Sequence, residues 1–159
     1  MTEPSPHEQS TDPERVAGID YGHVRIGVAL GDTLTKIATP WENYTRRSPE
    51  LDGKWFCQLA REQGIDRFVV GLPVHGHGGE SQKSQEARAF GAWLADITGV
   101  PVAYFDERYT SVEAEQILMA AELTKKRRKA RLDMLAAQRI LAAYLESSGR
   151  SEGIEDLDG

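Results

Sequence analysis

A single cysteine, Cys57, stands in 159 residues, so no disulfide can close within the chain. That suits a reducing compartment, and the apolar helical stretch around Cys57 marks it as a core thiol. No apolar run is long enough to span a bilayer, so no transmembrane helix and no membrane partner are expected. The opening MTEPSPHEQSTDPER lacks the basic-then-apolar layout of a secretory leader. No histidine and cysteine cluster with zinc-ligand spacing occurs, and no internal repeat is visible. Positive charge is also short overall: the net charge is −6.

That deficit lies at the ends. Residues 1–15 and residues 147–159 each hold four acids against one arginine, so residues 16–146 are neutral. Both ends read as disordered acidic tails around one compact domain, 16–146. At 40% hydrophobic the chain can bury a core. Its densest basic stretch is one block, Lys125-Lys126-Arg127-Arg128-Lys129, then Arg131.

The stretch Val16–Asp32, VAGIDYGHVRIGVALGD, predicts two apolar strands joined by a tight turn at Gly22. Thr35–Tyr44 predicts a third antiparallel strand, with Pro40 at a bend or an edge. Helical spacing follows over Leu51–Gln63, closed by Gly64, then a buried strand over Asp66–Gly71. Leu72–Glu80 is a glycine-rich loop whose His75 and His77 lack further ligands. Its glycines fit either a phosphate-binding turn or a plain connection. Ser81 caps a helix over Gln82–Ile97, Pro101–Phe105 is a strand, and Ser111 caps a helix to about Ala121. A last helix spans about Arg131 to Glu146. Trp55, Phe90 and Trp93 fall on apolar stripes and read as core. A three-strand meander followed by alternating helix and strand is a mixed α/β sheet with helices on both faces, an order that matches the ribonuclease H-like architecture and also fits other small α/β folds.

Acids occupy three places where core-facing residues are expected. Asp20 ends the first strand, Asp106 and Glu107 end the strand after Pro101, and Asp133 begins the last helix. Taken singly, Asp20 is a turn residue and Asp133 a favourable charge at a helix N-terminus. Taken together at one sheet edge, these carboxylates would repel unless a divalent cation sat among them. Hard oxygen donors suit Mg2+ or Mn2+, the ions of metal-assisted phosphodiester hydrolysis. Of Asp106 and Glu107 one is expected to be a direct ligand, since neighbours on a strand face opposite ways. Glu107 has the longer reach and is the expected ligand, although a bulge would reverse the phase. The basic block beside Asp133 would neutralise phosphates, with Arg108 adding a contact. Arg25 fits a phosphate contact and an acid pair equally.

Four blocks, GIDYGHVRIGVALGD, VVGLPVHGHGG, DERYTSVEAE and KKRRKARLDMLAAQRILAAYLE, resemble the YqgF/RuvX family in order and spacing. The resemblance covers about Val16 to Glu146. It implies a ribonuclease H-like fold and a divalent-metal nuclease site on Asp20, the Asp106-Glu107 pair and Asp133. Gly22, Arg25 and Gly27 match its first block, and Gly71, Pro73 and Gly78 its second. It implies 5′-end maturation of pre-16S rRNA in the bacterial cytoplasm, or resolution of Holliday junctions in branched DNA. Tyr109, His75, His77 and Ala130 depart from the family pattern, and none of these departures removes one of the acids. The resemblance of the first hairpin to the phosphate loop of actin-like ATPases would need a second lobe, which this length does not provide. A non-catalytic RNA-binding assembly factor is the alternative of another class. The oligomeric expectation is a monomer or a homodimer.

Overall fold

The structure, a computed structural model, describes residues 12–73, 81–107 and 125–148, with backbone alone at 125–133 and 148. Most of both acidic tails, the loop with His75, His77 and Gly78, and the stretch with Arg108, Tyr109 and Ser111 lie outside the described residues.

Five strands form one sheet: β1 (Arg15–Asp20), β2 (Arg25–Asp32), β3 (Ala38–Thr45), β4 (Arg67–Leu72) and β5 (Val102–Asp106). Their order is β3-β2-β1-β4-β5. The first three run as an antiparallel meander, and β4 and β5 run parallel to β1. Three helices complete the described fold: α1 (Pro49–Gln63), α2 (Gln82–Thr98) and α3 (Lys125–Ser148). Ser48 and Ser81 cap α1 and α2 by accepting the amides of Leu51 and Ser84, and Gly64 and Gly99 close them in the left-handed region.

Strand alternation sorts the core into two layers. Ala17, Ile19, Phe68 and Val70 face α1 and α2, where Phe56, Leu59, Phe90 and Leu94 meet them. Val16, Val69 and Phe105 face the other way, against Ala137, Ile140, Leu141 and Leu145 of α3. That second layer needs a close approach. A Cβ on Gly18 would stand 2.7 Å from Leu141 Cβ and 2.9 Å from the Ala137 carbonyl oxygen. Glycine there lets the helix backbone settle onto β1. Trp55 and Trp93 sit half-buried against the first layer. Cys57 is half-buried as well, its thiol donating to the Ile97 carbonyl at 3.3 Å.

Two expectations change. Arg15, assigned to the N-terminal tail, opens β1, and Glu14 before it is tied to the chain just after β2, its amide donating to Thr33 Oγ1 at 2.9 Å. Helix α3 begins at Lys125, about six residues earlier than the spacing suggested, so the basic block is helical. Lysine, arginine and alanine are good helix formers, and the helix propagates back through them. Asp133 therefore stands inside the helix and not at its N-terminus. At the sheet edge the pairing slips between Val28 and Ala29, leaving Trp41 as the extra residue beside Pro40. Proline and a bulge blunt β3 against strand addition.

Candidate active site

Strands β1, β4 and β5 end at the same edge of the sheet, the place where α/β sheets open crevices. A cleft of about 280 Å³ lies there. Asp20, Tyr21, Gly22 and His23 line it from the β1–β2 turn, Gly71 and Pro73 from the end of β4, and Glu107 from the end of β5. Lys83, Glu86 and Ala87 line it from the first turns of α2.

Register explains how Asp20 and Glu107 come to share it. Ile19 pairs with Val70, and Gly71 pairs with Phe105, so the residues after them end in step. Ile19 and Tyr21 both pack in the α1/α2 layer, which turns the intervening Asp20 toward the α3 face. Phe105 also faces α3, and Glu107, two residues on, follows it. A Cβ on Gly71 would meet Ile140 of α3 and stand 3.1 Å from Glu107 Cγ, so the Glu107 side chain lies over Gly71 on that face. Asp106 pairs with Leu72 and falls on the opposite face by alternation. The structure thus separates the neighbouring acids: Glu107 lines the cleft, and Asp106 is not among its lining residues.

Burial pushes the Glu107 carboxyl above its ordinary range. The Arg139 guanidinium pulls it back, the Asp106 carboxylate raises it further, and the Lys83 ammonium lowers it. Glu107 is thus a partly desolvated carboxylate in the field of cations from two helices, Lys83 of α2 and Arg139 of α3. Across its mouth His23 Nε2 meets Glu86 Oε1 at 2.8 Å, tying the β1–β2 turn to α2.

Asp133 is placed by its helix. Leu145 and Leu141 lie near Gly31, and Leu141 and Ala137 lie over Gly18. Moving toward the N-terminus of α3 thus runs from the start of β1 toward its Asp20 end. Asp133, one turn before Ala137, continues in that direction. Lys125–Arg131 occupy the turns before it. Arg25 opens β2 opposite Thr45, exposed, and does not line the cleft.

Sequence reasoning missed Lys83, Arg139, His23 and Glu86. Each looks like an ordinary helix-surface or turn residue, and only the packing of α2 and α3 at this edge brings Lys83, Glu86 and Arg139 close to Glu107 or the cleft.

The described donors fit a hard divalent cation: three carboxylates line the cleft, Asp20, Glu86 and Glu107, with no thiolate among its lining residues. Among the described residues no three His, Cys, Asp or Glu side chains form a metal-holding group. The side chain of the third expected ligand, Asp133, lies outside the described ones.

Residues 14–147 match the RuvX family, described as Holliday junction resolvase. Relatives carrying the provisional name pre-16S rRNA nuclease include one from Rhodopirellula baltica, 46% identical over 133 residues, covering 84% of this chain and 77% of that protein. Another, from Rhodobacter capsulatus, is 39% identical over 141 residues, covering 87% and 89%. Among solved structures, RuvC of T. thermophilus in complex with a Holliday junction substrate superposes with a TM-score of 0.52 at 17% identity, covering 86% of this chain and 96% of that one. A second T. thermophilus RuvC structure gives 0.51 at 15% identity, covering 86% and 96%. These likenesses identify the mixed five-stranded sheet as a ribonuclease H-like fold. With nearly the whole described sheet and α3 inside the matched span, the chain belongs to the RuvX family.

Proposed function

We propose that this chain is a divalent-metal-dependent endonuclease that hydrolyses phosphodiester bonds in structured RNA, with 5′-end maturation of pre-16S rRNA in the cytoplasm as its task. The observation that carries the reading is the placement of Asp20 and Glu107 in one cleft, at the sheet edge where β1 and β5 end. The names of the relatives supply the substrate class.

Asp20 and Glu107 would hold Mg2+ or Mn2+, with Asp133 as the third carboxylate. When bound, such an ion activates water and stabilises charge on the leaving oxygen. The protein's own residues orient the substrate. Lys83 lines the cleft and can meet a phosphate oxygen. Lys125, Lys126, Arg127, Arg128, Lys129 and Arg131 crowd the start of α3, where no acid balances them in the first turn. Cations at the positive end of a helix dipole are unfavourable alone and become favourable when an anion arrives. A polyanionic backbone is such a partner, and Arg25 and Arg108 extend the same reading. In the reaction water forms a new bond to phosphorus, one ester P–O bond breaks, and the leaving oxygen takes up a proton.

The test is cleavage of a labelled 16S rRNA precursor fragment with Mg2+ or Mn2+, beside a four-way DNA junction. Wild type is compared with Asp20→Asn and Asp133→Asn. Metal-dependent RNA cuts that vanish in both variants are expected. Cuts in the junction alone would assign the chain to branched DNA, as the family description has it. RNA binding without any cut would make it an assembly factor.

A further inference from the structure

The turn that presents Asp20 is tied to a buried carboxylate of α1 that belongs to no acidic motif. Asp52 is 3% exposed. Its Oδ1 accepts the Tyr44 hydroxyl at 2.6 Å and the Arg47 amide at 2.8 Å. Its Oδ2 stands 3.7 Å from Arg46 Nε. Arg46 then reaches the turn: Nη1 donates to Tyr21 Oη at 2.9 Å and to the Gly22 carbonyl at 3.3 Å. The Arg46 amide donates to the Val24 carbonyl at 2.9 Å, and its guanidinium lies 5.1 Å from the centre of the Tyr21 ring. Tyr21 is held from the other side by Phe90, with ring centres 4.9 Å apart.

Tyr21 follows Asp20 directly, and the two side chains leave the backbone on opposite faces of the sheet. Fixing Tyr21 on the α1/α2 face therefore fixes Asp20 on the α3 face, with Glu107. An ion pair with one buried partner, here Asp52, is a weak source of stability but a good source of direction. This pair ends on a tyrosine hydroxyl and a turn carbonyl next to the expected catalytic acid. Resting on the nuclease reading above, we infer that Asp52, Arg46 and Tyr21 are positioning residues, a brace that aims the Asp20 carboxylate into the cleft. Arg46 and Asp52 do not line the cleft, whereas Tyr21 lines it next to Asp20.

The experiment measures kcat and KM for the labelled precursor RNA with Mn2+, and RNA affinity in EDTA, for wild type, Tyr21→Phe, Arg46→Met, Asp52→Asn and the Tyr21→Phe/Arg46→Met double variant. Misaiming a reacting group is costly, so kcat should fall on the order of 10-fold in Tyr21→Phe and Arg46→Met, with KM and EDTA affinity unchanged. The double variant should be no slower than Arg46→Met, since both break one chain of contacts. If Arg46→Met or Asp52→Asn fails to fold, Tyr21→Phe decides, because it keeps its ring against Phe90. Wild-type kcat in folded Tyr21→Phe overturns the brace. So does a rise in KM at constant kcat, which would make these residues substrate contacts. Absence of cleavage by the wild type removes the nuclease reading and the brace with it, whereas normal cleavage by every variant removes the brace alone.

Discussion

Glu107 folds back over Gly71, so that a methyl group at residue 71 would stand 3.1 Å from Glu107 Cγ. The same methyl would run into the Ile140 side chain. Gly71→Ala should therefore push Glu107 and α3 apart. We expect a loss of about 1–3 kcal/mol in urea unfolding, the usual cost of overpacking, together with loss of cleavage. Full activity in a stable Gly71→Ala protein would show that Glu107 need not lie there.

Gly18→Ala separates packing from chemistry. Its Cβ would meet the Ala137 carbonyl oxygen at 2.9 Å, and backbone cannot swing aside as a side chain can. Stability should fall by about 1–3 kcal/mol. The folded fraction should keep its RNA affinity, since Gly18 does not line the cleft. Thermal unfolding and RNA binding in EDTA check both parts.

The raised Glu107 carboxyl makes stability depend on pH. Its folded pKa lies above its unfolded value near 4.5, so the unfolded chain sheds this proton first. Stability then falls as pH rises from the unfolded value through the folded one. Glu107→Gln removes that loss. It should be more stable than wild type at pH 7, indistinguishable from it well below pH 4, and inactive in cleavage. Denaturant midpoints across that range test the sign, and a variant less stable at pH 7 would contradict it.

The basic turns of α3 should act through charge. Lys126→Ala and Arg127→Ala should each weaken RNA binding and lower the log–log salt slope by roughly 0.7 where a phosphate contact is lost. Binding titrations from low to moderate salt measure this. An unchanged slope would place the RNA elsewhere.

Asp133→Asn distinguishes two roles for an acid on α3. The helix dipole helps acids only in the first turn, and Asp133 stands beyond it. Cleavage should be lost while the thermal midpoint holds. A large drop in midpoint with residual cleavage would make Asp133 a structural residue.

The sequence by itself determined the strands and helices that have strong local signals. Alternation over Val16–Asp32, the Ser81 cap and the Gly64 and Gly99 stops are visible residue by residue, because period and capping are short-range physics. The three acidic positions were visible too, since a carboxylate at the end of an apolar strand or on an apolar stripe stands out from its neighbours. Tertiary structure decided what depends on residues far apart in the chain. The choice between Asp106 and Glu107 as the cleft acid needed the register of β5 on β4 and the close approach of Ile140 to Gly71. The start of α3 at Lys125 removed Asp133 from the helix N-terminus, which local charge had suggested. Lys83 and Arg139 reach Glu107 only because α2 and α3 pack on opposite faces of one sheet edge. The link from Asp52 through Arg46 to Tyr21 spans 31 positions and carries no periodic signature, so nothing short of the folded chain discloses it.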